Sequence, residues 1–175
     1  ITTENFLKYF NEHLIKGNKA LSDKINAEAW IYKSDIPSNS ITPVSEDFDR
    51  IDNIQKTWRK TGIKGLSTKI KSTNEKQHFI DYLPNDITTT EMTKIDHEFN
   101  FTKGGNFVIK RQWFVQALRH QYKPAYPAIE QFMIATSRTG SLQTLYKEMV
   151  TTPEGKLWAQ RIFKKATPGY HMTTV

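Results

Sequence analysis

The chain has 175 residues, 37% hydrophobic and 12% aromatic, which suits one folded domain with a real core and argues against intrinsic disorder. It has no cysteine, so disulfides, zinc-finger sites and thiol catalysis are excluded. Its formal charge of +7 favours acidic partners, and no run approaches the roughly 20 apolar residues of a membrane span; no signal peptide is visible either. A soluble chain with no membrane partner is expected.

The first expected helix starts at Thr2-Thr3-Glu4, carries Phe6, Leu7, Phe10 and Leu14 on one face, and stops near Gly17. A short apolar run, Ala27 to Tyr32, follows. Residues 33–44 hold Pro37, Pro43 and several serines and read as an extended connector within one domain. Ser45 caps a helix with Phe48, Ile51, Ile54 and Trp58 on its face and an end at Gly62. Ser72-x-x-Glu75 and Thr88-x-x-Glu91 are capping boxes. They open helices that bury Phe79, Ile80 and Leu83, then Met92, Ile95 and Phe99. Pro84 ends the first of these, and Gly104-Gly105 follows the second.

From Asn106 to Lys165 apolar residues recur at helical spacing in four successive segments. Their faces are Val108, Ile109, Trp113, Ala117 and Leu118; Ile129, Phe132, Met133 and Ala135; Leu142, Leu145, Tyr146 and Met149; and Leu157, Trp158, Ile162 and Phe163. Thr152-Pro153-Glu154 supplies a cap, a proline and a dipole-compatible acid for the last, which stops at Pro168-Gly169. Connections of a few residues make neighbouring helices antiparallel, so each stripe is buried against the helices before and after it. No strand-like alternation of useful length appears. The pattern predicts about eight substantial helices in four antiparallel pairs, a helical layer or solenoid.

Chemistry is harder to find. The histidines His13, His78, His97, His120 and His171 are scattered. His97-Glu98 begins like the H-E-x-x-H zinc motif, but its fifth position is Phe101, which cannot ligate a metal. A histidine on the polar side of its helix is the expectation. There is no G-x-S-x-G elbow or phosphate-binding glycine loop, and Asp47, Asp49, Asp35 and Glu46 lie in solvated contexts. The basic run from Trp58 to Lys76 carries Arg59, Lys60, Lys64, Lys69, Lys71 and Lys76 against Glu75 alone. It reads as a solvated loop rather than a nucleic-acid surface, because no recognition motif accompanies it. The chain begins at Ile1 and opens almost at once into a helix, which is the expectation for a piece of a longer polypeptide.

Taken together, Ala29-Trp30-Ile31-Tyr32 with Ile36-Pro37, Phe99-Asn100, Asn106 to Trp113, Ala125-Tyr126-Pro127-Ala128, Leu145 to Met149, and Tyr170-His171 with Thr173 keep a distinctive order. That order resembles the C-terminal helical domain of the leukotriene-A(4) hydrolase and aminopeptidase B branch of the aminopeptidase N superfamily of zinc peptidases. The resemblance spans residues 1–175. It implies an all-α, two-layered right-handed superhelix of armadillo or HEAT type, packed on an upstream catalytic domain of the same chain. It also implies that zinc and the catalytic groups belong to that upstream domain, with no cofactor and no catalytic residue in residues 1–175. The helical domain would form one wall of the channel for a peptide substrate. In some members an Arg-x-Lys pair there holds the substrate's terminal carboxylate, and ungapped alignment back from Leu145-Tyr146 puts Arg138 at the arginine and Gly140 at the lysine position. A free-standing basic scaffold, binding an acidic protein or nucleic acid through residues 59–76, is the alternative left open by the residues alone.

Overall fold

A computed structural model describes residues 1–172, so Thr173 lies outside the described residues. Among the described residues the secondary structure is entirely helical, with eleven α-helices and no strand. Among the described residues no helix is long and apolar enough to cross a membrane. Each of the eight expected helices is present, and the sequence pattern missed three short ones. The chain divides into two compact units, Ile1–Val44 and Ser45–Val175.

In the first unit, Thr2 accepts from the Asn5 N–H and starts α1 (Thr3–Phe10). This helix continues into a π-helical segment, Asn11–Ile15, and ends where Lys16 and then Gly17 take positive φ. The Asn18 side chain caps α2 (Lys19–Ile25), and Asn26 in the left-handed region redirects the chain into α3 (Ala27–Tyr32). Asn39 donates to the carbonyls of Lys24 and Ile25 at 2.7 and 2.8 Å, fastening the connector to the end of α2. Only Ile15 and Ala29 of this unit's apolar residues are fully buried; Phe6, Tyr9, Leu14, Trp30 and Tyr32 are exposed.

The second unit contains α4 (Glu46–Thr61), α5 (Leu66–Lys69), α6 (Thr73–Asp81), α7 (Thr89–Phe99), α8 (Phe107–Arg119), α9 (Tyr126–Ala135), α10 (Thr139–Met149) and α11 (Pro153–Ala166). Ser45, Thr152 and both capping boxes act as their sequences predict. A helix leaves its first N–H groups without intrahelical partners, and these side chains supply acceptors. Alternate helices share a layer. Helix α6 packs between α4 and α8, and α8 in turn packs on α10. In the other layer α5 packs on α7 and α9 on α11, while α11 also meets α10.

The core lies between these layers and includes Ile51, Phe79, Ile80, Met92, Ile95, Trp113, Phe114, Ile129, Met133, Leu142, Leu145 and Ile162, all inaccessible or nearly so. Burying each such side chain contributes roughly 1.5–3 kcal/mol. Polar groups are placed between neighbouring helices as well. Side-chain amides of Gln55 on α4, and of Gln112 and Gln116 on α8, donate to the Phe79, Gln77 and Ile80 carbonyls of the intervening α6. After α11, Tyr170 donates to the Met133 carbonyl at 3.0 Å and accepts from Tyr146 at 2.9 Å. That pair holds the end of the described chain to α9 and α10, and burial pushes the Tyr146 hydroxyl well above its ordinary range.

Candidate functional site

Helix α9 ends at Ala135, Thr136 turns the chain extended, and Arg138 is the residue before α10. The Arg138 carbonyl accepts from Ser141 and Leu142 at 3.0 and 3.1 Å, so its backbone is fixed by the first turn of the helix. Its side chain is exposed, and the guanidinium carbon sits 4.6 Å from the centroid of the Phe107 ring. Among the described residues no carboxylate pairs with it. Gly140 lies in the same helical turn, and among the described residues nothing approaches the position of a Cβ there within 4 Å. Space for a second side chain is therefore open.

The start of α8 brings Phe107 to this point. Asn106 accepts from the Val108 and Ile109 N–H groups at 3.0 and 3.2 Å and donates to the Thr73 hydroxyl at 3.3 Å, which sets the beginnings of α6 and α8 side by side. An exposed arginine with no carboxylate partner among the described residues can present parallel N–H donors to a carboxylate. Sequence reasoning singled out Arg138 but not Phe107. An aromatic residue directly after a cap carries no signal of its ring's partner 31 residues on.

A separate cleft of about 990 Å³ lies along α9 and α11 and reaches the turns before them; Arg138 does not line it. Tyr126 and Trp158 stack in its wall at 4.6 Å. Glu130 accepts from the Trp158 indole at 3.1 Å and from Lys165 at 2.6 Å, and Arg119 pairs with Glu148 at 2.5 Å.

The tempting His97-Glu98 pair has a structural role. Glu98 accepts from both the N–H and the hydroxyl of Ser67, at 3.0 and 2.5 Å, and so caps the start of α5; Phe101 is buried in the core and His97 is exposed. His78 bonds Asp52 at 2.6 Å and stacks on Phe48 with ring centroids 4.3 Å apart. Burial pushes His120 down. Among the described residues no group of three or more His, Asp or Glu side chains is arranged to hold a metal ion. Arg59 of the basic run is engaged by Asp86 and Glu91 at 3.0 and 2.9 Å.

Several carboxylates are held below their ordinary range: Glu75 by the N–H groups of Ser72 and Lys71, Glu98 by the Ser67 hydroxyl, and Glu130 by Lys165 and the Trp158 indole. A carboxylate with a depressed folded pKa stabilises the fold above its unfolded value, here 4.5, and that contribution is lost as the pH falls through the folded value. The melting temperature should hold steady above about pH 5.5 and fall steadily below about pH 4.5. Glu75→Gln should lower it at neutral pH and flatten the acid decline. A variant with an unchanged acid profile in a thermal melt series would count against these linkages.

Paired helices in two layers define a layered, all-helical domain. The family model described as leukotriene A4 hydrolase, C-terminal, matches residues 71–175, and the chain belongs to that family. The match takes in the landmarks from Phe99-Asn100 onward and marks a C-terminal helical domain of that type of hydrolase. No curated protein matches the chain.

Proposed function

We propose that residues 1–175 are one noncatalytic C-terminal helical domain of a zinc aminopeptidase, which packs on the catalytic domain and forms one wall of the substrate channel. Family membership over residues 71–175 carries this reading. In it, the parent chain hydrolyses N-terminal peptide bonds with water activated by a zinc ion held upstream. The exposed Phe6, Tyr9, Leu14, Trp30 and Tyr32 support the packing role, since so much apolar surface in a short unit calls for a cover. An assay of the full-length protein on short peptides tests the reaction. Release of the N-terminal residue, abolished by a chelator and restored by zinc, is the expected result. No release from zinc-loaded protein overturns the reading.

Arg138 has a specific part in this proposal: its guanidinium donates hydrogen bonds to the terminal carboxylate of the peptide. A charge-assisted hydrogen-bonded contact is worth roughly 1.5–3 kcal/mol, so Arg138→Ala should raise KM for short peptides about ten- to a hundred-fold. The turnover number should change little. An unaltered KM removes Arg138 from substrate binding.

A further inference from the structure

Phe107 connects the surface at Arg138 to the interior. Its ring meets Phe132 of α9 at 4.9 Å, and Phe132 meets the fully buried Phe114 edge-on at 5.4 Å. The ring therefore has rigid backing. It also carries the Arg138 guanidinium at 4.6 Å, within the range of a cation–π contact. A guanidinium attracted through its flat face keeps its in-plane N–H groups for hydrogen bonding. A long exposed arginine otherwise loses much rotamer freedom when a ligand fixes it, and fixing it beforehand reduces that cost. Gly140 supplies no second cation in the same turn, so the proposed role of Arg138 places the carboxylate on this one guanidinium.

We propose that Phe107 is a positioning residue, holding the Arg138 guanidinium in place to meet the terminal carboxylate of a short peptide. This rests on the reading that Arg138 takes that carboxylate. The contact orients the cation before substrate arrives, so its loss appears in KM for a free-acid peptide and not in the turnover number.

The experiment compares Ala-Ala-Ala with its C-terminal amide in the full-length enzyme, for the unaltered protein and for Phe107→Leu, Phe107→Tyr, Arg138→Ala and the double variant Phe107→Leu/Arg138→Ala. Phe107→Leu should raise KM for the free acid about two- to five-fold, the size of an exposed cation–π contact. KM for the amide and both turnover numbers should stay as they were. Phe107→Tyr, which keeps the ring face, should restore the original KM, and Phe107→Leu should add nothing once Arg138 is alanine. If Arg138→Ala raises KM for the acid and Phe107→Leu does not, the positioning role is overturned and the Arg138 reading stands. Equal increases for acid and amide also overturn it, by showing a general structural effect. If Arg138→Ala leaves the acid-to-amide ratio unchanged, both ideas fall. Should Phe107→Leu not fold, Phe107→Met keeps bulk against Phe132 without a π face and carries the same comparison.

Discussion

Gly155→Ala should destabilise the second unit by about 3 kcal/mol, among the larger costs of overpacking. Gly155 sits in the first turn of α11, where the helix start passes over the end of α10. A Cβ built there would fall inside contact distance of the Met149 carbonyl oxygen and 2.8 Å from the Thr152 hydroxyl. The first obstacle is backbone, which moves only if α10 and α11 separate. The second is the cap of α11, which accepts from the Gly155 N–H at 3.1 Å. For a chain of this size the melting temperature should drop by about 6–12 °C. A melt within about 1 °C of the unaltered protein would mean that the corner between α10 and α11 yields freely.

Asp96→Ala should cost a comparable amount, about 3 kcal/mol, for a different reason. On α7, Asp96 accepts from the Thr102 N–H at 2.8 Å, the Thr102 hydroxyl at 2.6 Å and the Tyr122 hydroxyl at 3.3 Å. The Thr102 oxygen in turn accepts from the buried indole of Trp113 at 2.9 Å. One carboxylate thus serves the turn between α7 and α8 and, through Thr102, the fully buried Trp113. Alanine leaves donors at Thr102 and Tyr122 without their acceptor, and each abandoned buried donor is expensive. Asp96→Asn retains one acceptor oxygen and should lose less. Urea denaturation followed by tryptophan fluorescence gives the comparison, and equal midpoints for the Ala and Asn variants would refute the shared-acceptor account.

The fold was legible where its causes are local. Ser45, the pairs Ser72/Glu75 and Thr88/Glu91, and Thr152 all cap the helices their spacing predicts, because capping is settled within four residues. The eight longer helices follow from apolar spacing for the same reason. Helix α5 did not show in the sequence: it has four residues, and its start depends on Glu98, 31 positions away. The π-helical segment at Asn11–Ile15 changes the hydrogen-bond register without changing the pattern of residues enough to read. At the candidate site Arg138 was reachable through the order of landmarks around it. Its contact with Phe107 was not, since it depends on how the start of α10 and the start of α8 come together.

The three glutamine amides that reach α6 from either side have a consequence for how the helices stay aligned. They are uncharged at every pH the fold survives, and added salt does not screen them as it screens the exposed ion pairs of Arg50, Arg59 and Arg119. The part of the α4, α6 and α8 alignment that rests on these amides is therefore independent of the ionic medium, while the Arg50–Glu75 pair between α4 and α6 is not. Salt and acid loosen the charged fastenings of this unit, while the amide ties between three neighbouring helices persist.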